Sequence, residues 1–169
     1  RETLRNNEQS INKILIESYG VQREVISDVN DRDLSIKTKN IEEIIEEVIF
    51  YAIGCMMGRY SLDKEGLVYA NTGNKDFSEL EQQGVYNTFS ADDDGIIPLT
   101  DQEWFEDDVT LRFREFVQTI WGKDNLQANL DFVAESLCLH AIKAKSNETS
   151  LDTIRRYLSA QFYKDHLKT

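Results

Sequence analysis

The segment SADDDGIIPLTD, residues 90–101, contains residue types that could bind a calcium ion. Asp92 and Asp94 lie at the spacing of oxygen ligands in a calcium-binding loop, and Gly95 occupies the turn position. The segment departs from such a loop at its first position, a serine, and at its last, an aspartate instead of a bidentate glutamate. Pro98 also takes a ligand position. An acidic turn is therefore the better interpretation, and no metal site is predicted.

Carboxylates and histidines elsewhere also invite a catalytic interpretation. Because negative charge is favourable at a helix N-terminus, a solvated helix start is the better account of four neighbouring acids: Glu103, Glu106, Asp107 and Asp108. The two histidines, His140 and His166, have no paired nucleophile or cysteine nearby in the sequence. We therefore expect both histidines to be packing or surface residues, and no catalytic residue is predicted.

Basic residues are concentrated near the C-terminal end. Residues 141–169 contain six Lys/Arg and three Asp/Glu, a balance of +3, so the first 140 residues carry −15 and the whole chain −12. Because DNA is bound through Lys and Arg that neutralise phosphates, most of this surface should repel a duplex. The candidate DNA-backbone contacts are Arg155, Arg156, Lys164 and Lys168, with a solvated helix face as the alternative.

Four aromatic residues have the chemistry to stack on a flipped base or a single strand: Tyr60, Tyr69, Trp104 and Trp121. Their mixed placement, near expected strands and helix ends, favours packing in the core instead. The two glycines of GCMMG, residues 54–58, lie inside an apolar helical segment, where close packing is a better interpretation than a nucleotide-binding turn. No cofactor-binding residue is predicted.

Helical periodicity dominates the chain. Apolar residues recur at helical spacing from Ile41 and cover nearly every side from Val48 to Gly58, which predicts a buried helix too short to cross a bilayer. Further helices are expected at about 2–19 with Gly20 as the stop, at 101–121 after a Thr100/Glu103 capping box, from 124 or 125, and after a Thr149/Asp152 capping box.

These elements predict a mainly α fold of about five helices, packed as a bundle-like domain with a small β-hairpin. The expected strands are Leu67–Ala70 and Ile96–Leu99, on either side of a long polar loop at 71–94. The length fits one domain over residues 1–169, with 1–70 and 100–169 as sub-lobes joined by the polar loop and hairpin.

Cysteine usage and hydropathy indicate a cytoplasmic protein. Cys55 and Cys138 lie in apolar helical contexts, which suits reduced, buried thiols and provides no metal-binding spacing. The sequence shows neither a signal peptide nor a membrane span, so no membrane partner is expected.

Three segments of the chain resemble one protein family. YAIGCMMGRYSLDKEGLVYA, DDDGIIPLTDQEWFEDDVTLRFREF and FYKDHLKT are similar, in this order, to the PglX (BrxX) proteins of bacterial BREX phage-defence systems. The resemblance covers the chain from about Ile11 to the C-terminus. It implies a large adenine-specific DNA methyltransferase that uses S-adenosylmethionine. Because the chain begins at Arg1 and not at methionine, we expect an internal segment of that longer protein.

The resemblance does not bring the family's catalytic residues into this chain. Adenine methylation in that family uses an Asn-Pro-Pro-Tyr loop, which positions the amino group of a flipped-out base. The single proline, Pro98, lies within Ile-Ile-Pro-Leu, so the chain contains no such loop. We therefore expect a non-catalytic segment, with S-adenosylmethionine bound elsewhere in the parent.

Two functions from different classes follow. The first is a helical linker or scaffold module of a site-specific DNA adenine-N6 methyltransferase from a BREX or related restriction-modification system. It would position the catalytic and target-recognition parts on double-stranded DNA, with other domains of the same chain and other BREX components as partners. The second is an acidic protein-interaction module or DNA mimic, which the charge of −15 over the first 140 residues motivates.

Overall fold

The computed structural model describes residues 2–30, 32–34, 40–70 and 76–168. Seven α-helices lie in these ranges, and the same ranges contain no β-strand. The mainly α prediction is therefore confirmed. The chain divides into two compact units, residues 1–40 and 41–169. A single folding domain over 1–169, and the sub-lobes expected at 1–70 and 100–169, stay predictions.

The first unit contains helix α1, Glu2–Tyr19, with the bounds that the sequence predicts. Gly20 ends it with a left-handed φ of +70°. The amide of Gly20 donates to the Glu17 carbonyl at 3.3 Å, and that of Val21 donates to Ile16 at 3.2 Å, which is the hydrogen-bond pattern of a Schellman cap. No residue of α1 is buried, and its apolar stripe is 47–78% exposed: Ile11, Ile14, Leu15 and Tyr19.

The second unit is built around six helices: α2 (Ile41–Met56), α3 (Phe77–Gln82), α4 (Val109–Trp121), α5 (Leu126–His140), α6 (Ser150–Ala160) and α7 (Phe162–His166). Helix α5 packs against α2, α4 and α6, and α6 also packs against α4 and α7. Residues at helical spacing on each of these faces form one core, which includes Ile45, Ile49, Phe113, Phe116, Leu130, Val133, Leu137, Ile154 and Tyr157. No helix in the described ranges is long and apolar enough to cross a membrane.

The start of α6 is set by a local capping box, as predicted. The Thr149 side chain accepts a hydrogen bond from the amide of Asp152 at 3.1 Å, and the Asp152 carboxylate accepts one from the amide of Thr149 at 3.0 Å. Two orphan amides of the helix start are therefore satisfied within four residues. Helix α5 likewise begins next to one of the expected residues, with Asn125 as its N-cap.

The predicted start of α4 is wrong. The sequence predicts a helix over 101–121 opened by Thr100 and Glu103, but residues up to 107 form turns and the helix begins at Val109. Asp108 is the N-cap, and its carboxylate accepts a hydrogen bond from the second amide of α4 at 2.9 Å. The Thr100 hydroxyl donates within its own turn instead of capping a helix.

The small β-hairpin predicted from Leu67–Ala70 and Ile96–Leu99 is also wrong. In the second segment the amide of Ile96 donates to the Asp94 carboxylate at 2.8 Å, and the carbonyl of Pro98 accepts from the first amide of α4 at 2.9 Å. Proline has no amide hydrogen to donate. The groups that a strand ladder would need are therefore used or missing.

The first expected strand fails for a similar reason. The amide of Val68 donates to the Arg59 carbonyl at 2.9 Å, which folds the chain back onto the end of α2. Ala70 has a φ of +60°, a left-handed conformation that ends any extended run. Within this run Val68 alone is buried, in a small cluster with Leu80 and Tyr86, and Tyr69 is 38% exposed.

Both GCMMG glycines are closely packed, as predicted, but only Gly54 lies inside α2; Gly58 follows the end of the helix with a left-handed φ of +69°. A Cβ on Gly54 would lie 2.3 Å from Tyr60 Cδ2, and a Cβ on Gly58 would lie 2.7 Å from Phe77 Cε2. The Tyr60 ring thus lies directly on the helix backbone, where it stacks on Tyr51 with centroids 5.4 Å apart. A larger residue at position 54 of α2 would overlap that ring, so glycine fits there without rearrangement.

Residues 61–63 tie the next segment to the end of α2. The hydroxyl of Ser61 donates to the Val85 carbonyl, and the Asp63 carboxylate accepts from the amide of Thr88 at 2.8 Å. The hydroxyl of Tyr86 donates to the Gly58 carbonyl at 2.6 Å. These contacts join residues 24–28 positions apart, so the polar residues of GRYSLD hold a loop in place.

Replacing Gly54 with alanine tests this packing. Alanine favours a helix interior by up to about 1 kcal/mol over glycine. We nevertheless expect Gly54→Ala to lower the free energy of unfolding by about 1–3 kcal/mol, because the new methyl group overlaps the Tyr60 ring. Urea denaturation followed by circular dichroism measures the change.

The matched control is the same substitution in a Tyr60→Ala background. With the ring removed, only the helix propensity of alanine remains, and Gly54→Ala should then stabilise the chain. A loss of stability of equal size in both backgrounds would contradict the packing explanation.

Candidate nucleic-acid interface

The four candidate DNA-backbone contacts lie in the last two helices and just after them. Arg155 and Arg156 are on α6, Lys164 is on α7 and Lys168 follows its end. The four residues are close in sequence, but the surroundings of their side chains differ greatly. Two of them are committed to ion pairs that hold the fold together, and this decides which cations face solvent.

Arg155 is buried and fully engaged with other residues. Its Nη1 lies 2.7 Å from Asp108 Oδ2 and its Nη2 lies 3.0 Å from Asp108 Oδ1, which is a bidentate pair. Nη1 also donates to the carbonyl of Thr100 at 2.8 Å, and Nη2 donates to the hydroxyl of Thr110. Only 11% of the Arg155 side chain is exposed, so its alternative as a solvated helix face is wrong.

Asp108 is the other half of this pair, and its surface interpretation is wrong as well. It is fully buried, whereas Glu103 and Glu106 are exposed and Asp107 is half-buried. Burial by itself raises the pKa of Asp108, but hydrogen bonds from Arg155 and Thr110 outweigh that effect and hold the pKa below its ordinary value. The carboxylate is therefore a structural anion at the start of α4.

Arg156 is held by Glu148 from the loop before α6. Its Nε lies 2.8 and 3.0 Å from the two Glu148 oxygens, and its Nη2 lies 2.8 Å from Oε2 and 3.0 Å from the Lys143 carbonyl. These hydrogen bonds lower the pKa of Glu148. Both side chains are 18–19% exposed, so the pair fastens the α5–α6 loop to α6.

Lys164 and Lys168 are the exposed members of the set. The ammonium of Lys168 donates to Asp165 Oδ1 at 2.8 Å, yet 70% of the side chain is exposed and can turn outward. Direct contact of any of the four residues with DNA stays a prediction. The geometry favours the two lysines, because a phosphate could reach them without breaking a buried pair.

The aromatic candidates are dispersed over the unit. Tyr60 packs on α2, and Tyr69 makes an edge contact with Phe77 at 5.5 Å. Trp104 is 69% exposed, Trp121 40% and Tyr69 38%, so the core interpretation is wrong for these three residues. The indole nitrogen of Trp104 lies 3.4 Å from Asp101 Oδ1. The four do not form a common stacking surface in one place on the fold.

The histidines and the acidic loop form no catalytic grouping. His140 is exposed at the end of α5, and His166 lies parallel to Phe162 at 5.9 Å and edge-on to Phe50 at 5.7 Å. Among the described residues, no group of three or more His, Cys, Asp or Glu is arranged to hold a metal ion. In the 90–101 segment, Asp92 helps Asp94 to bind the amide of Ile96, at 3.0 Å.

The cysteines are free thiols, with Cys55 buried and Cys138 half-buried. Burial raises the pKa of Cys55 to about 11 and that of Tyr51 to about 12, so both are neutral near pH 7. A thiol in this state is a poor nucleophile.

An aromatic cavity of about 590 Å³ was not among the expectations from sequence. It lies between α2 and α7, with Phe50, Tyr51, Tyr60 and Phe162 in its walls and Arg59 at its edge. Its wall residues come from positions about a hundred residues apart, so no local pattern indicates it. The walls offer apolar contact, and the chemistry they suit is packing of an apolar or aromatic group.

Removing the Asp108 charge should be strongly destabilising. Asp108→Asn leaves Arg155 buried without its counter-charge, and we expect a loss of about 3–5 kcal/mol in the free energy of unfolding. Glu103→Gln is the matched control, because Glu103 Oε1 lies 3.6 Å from Arg155 but is 43% exposed. Exposed pairs contribute less than about 1 kcal/mol. Urea denaturation measures both losses. Equal losses in the two variants would show that the buried pair contributes no more to stability than the exposed one.

The pair between Arg155 and Asp108 also predicts that the free energy of unfolding depends on pH. Because the pKa of Asp108 is lowered in the folded state, its stabilisation is present above the ordinary aspartate pKa of about 3.9 and is lost as the pH falls through the folded-state pKa. The wild type should therefore lose stability more steeply below about pH 4 than Asp108→Asn does. Parallel curves for the two proteins would contradict this assignment.

Comparison with known proteins identifies the family. No protein-family model matches the chain. The adenine-specific methyltransferase BrxX of Escherichia coli O9:H4 (strain HS) is 56% identical over 167 residues, which cover 99% of this chain and 13% of the relative. The adenine-specific methyltransferase PglX of Lacticaseibacillus casei (strain Zhang) is 41% identical over 169 residues, covering 98% of this chain and 13% of the relative. The chain spans 13% of the length of these relatives. The resemblance seen in three sequence segments is confirmed by identity over nearly the whole chain, and the chain therefore belongs to the PglX/BrxX family.

Proposed function

We propose that this chain is a non-catalytic helical module of a site-specific DNA adenine-N6 methyltransferase. It would hold the catalytic and target-recognition parts of the parent in register on double-stranded DNA. The observation that carries this proposal is the identity of 56% and 41% to two adenine-specific methyltransferases over nearly the whole chain. The parent would use S-adenosylmethionine and act in a BREX or related phage-defence system, with other BREX components as partners.

The ion pairs of Arg155 and Arg156 support a positioning role. Arg155 links α6 to the first turn of α4 and to the carbonyl of Thr100, and Arg156 links α6 to Glu148 in the preceding loop. Charge-assisted hydrogen bonds are short and directional, so they fix the orientation of the elements that they join. A module that keeps two other parts in register needs this kind of fixed internal geometry.

Within this proposal the DNA-backbone contacts divide into two kinds. Lys164 and Lys168 are the cations that would reach phosphates, because both are exposed. Arg155 and Arg156 would act through the fold, since their guanidinium groups hold helices in place. The strongly negative remainder of the chain would keep the duplex near this end alone.

A salt titration with a short duplex tests the lysines. The chain should bind weakly, and Lys164→Gln with Lys168→Gln should reduce the slope of log affinity against log salt by about 2, or about 1 for each lysine that neutralises a phosphate. The matched control is Lys64→Gln with Lys123→Gln, which removes the same charge from two other exposed positions. An equal reduction in both double variants would show that net charge, and not direct contact, determines binding.

The activity of the parent is tested in the cell. Long-read methylation calling, with the parent gene intact and then deleted, should show loss of N6-methyladenine from one asymmetric motif. Calorimetry of the isolated chain should show no binding of S-adenosylmethionine. An unchanged methylome while the gene is expressed would contradict the parent's activity, and cofactor binding by this chain would contradict its role as a non-catalytic module.

A second candidate is an acidic interaction module or DNA mimic. It is favoured by the charge of −15 over the first 140 residues and by a group of acids that line one surface depression: Asp92, Asp93, Asp94, Glu106, Asp107 and Glu115. Such a surface imitates a row of phosphates. Tight competition with DNA for an unrelated DNA-binding protein would support this candidate over the first.

A further inference from the structure

A second, more polar cavity lies where α2 meets the end of α5 and α7. Its volume is about 240 Å³, and it lies apart from the aromatic cavity except that Phe50 contributes to both. Glu46 and Asp165 provide two carboxylates to its lining, and Phe50 provides an aromatic ring. Gln161, His140 and Lys168 complete its polar lining.

Asp165 lines this cavity and has an unused hydrogen-bond acceptor. The residue is 8% exposed, and its Oδ1 accepts from Gln161 Nε2 at 2.9 Å and from Lys168 Nζ at 2.8 Å. Its Oδ2 is buried and has no hydrogen-bond partner in the described part of the chain. Tyr157, fully buried on α6, has a hydroxyl in the same condition. Buried polar groups are nearly always paired, so an unpaired carboxylate oxygen indicates a missing donor.

The cavity also has more negative than positive charge near its carboxylates. Glu46 is half-buried, and neither a hydrogen bond nor an ion pair reaches it from the other described residues. Burial raises the pKa of Glu46, and the neighbouring charge of Asp165 raises it further, whereas His140 and Lys168 oppose them. Two carboxylates thus lie in one lining, and His140 and the exposed Lys168 are the described groups that oppose their charge.

We propose that this cavity binds the cationic head group of a basic side chain, an ammonium or a guanidinium, between the carboxylates of Glu46 and Asp165 and against the ring of Phe50. A cation supplies a donor for Asp165 Oδ2 and a direct ion-pair partner for Glu46, which the described residues do not provide. An aromatic ring beside two carboxylates favours an organic cation. A divalent metal is disfavoured, because the described residues offer no group of three or more suitable ligands. This inference does not depend on the proposed function.

Titration of the isotopically labelled chain with methylguanidinium, followed by NMR, tests the site. We expect saturable shifts at cavity residues with a dissociation constant on the order of 1 mM. Methylurea has nearly the same shape but no charge, so it should give no saturable shift. Equal responses to the two compounds would overturn the proposal, because they would indicate a polar cavity that only holds water. This comparison needs no variant.

Variants test whether the compound binds in this cavity or responds only to the net charge of the chain. Glu46→Gln should weaken methylguanidinium binding at least about tenfold. Glu135→Gln, which removes an exposed carboxylate elsewhere on α5, should not change it. Lys168→Gln should tighten binding, because it removes the competing ammonium from Asp165. Equal effects of the two glutamate variants would overturn the assignment.

The source of the cation is identified by repeating the titration with the longer parent methyltransferase. If a basic side chain of the same polypeptide fills the cavity, the free compound should fail to bind the parent while it binds the present chain. If the ligand is a soluble amine, both proteins should bind the compound. Failure of the present chain to bind it would overturn the proposal in either case.

Discussion

The buried pair between Arg155 and Asp108 is the interaction that fixes α6 against the start of α4. It joins residues 47 positions apart, and it places a guanidinium, a helix N-cap and the carbonyl of Thr100 in one hydrogen-bonded group. Removing two charges from water is costly, and the cost is offset only when nearly every donor and acceptor is used. Here Thr110 and Thr100 complete the set, so the start of α4 and the position of α6 against it are held by the same hydrogen-bonded group.

The elements that could be predicted are those whose causes lie close together in sequence. Helix α1 ends at Gly20 and α6 begins at Thr149 because each cap is satisfied within a few residues. The start of α4 is predicted wrongly although its cap is also local, because the Arg155 guanidinium that stabilises Asp108 as a buried cap comes from another helix. The expected strands failed because a short apolar run does not indicate what the backbone pairs with, and here side chains and a turn bind those backbone groups.

The segments that resemble the family turn out to be packing and capping motifs in this chain. The glycines of GCMMG receive aromatic rings, Ser61 and Asp63 hold a loop, and the acids of DDDG bind the amide of Ile96. In this chain these residues serve packing and capping, and none of them forms a catalytic or metal-binding group in the described ranges. The family could be recognised from the sequence, while the role of the segment rests on the identity of its relatives and on which cations remain exposed.

The contact between Gly54 and Tyr60 has a consequence for how this segment can change in evolution. A ring that lies 2.3 Å from the place of a missing Cβ makes the two positions mutually dependent. A larger residue at 54 is tolerated only after Tyr60 has been replaced by a smaller residue. The replacement of Tyr60 also removes its stacking on Tyr51. The two positions should therefore vary together or not at all among homologues, and a lineage without the ring would be free to build a stronger helix.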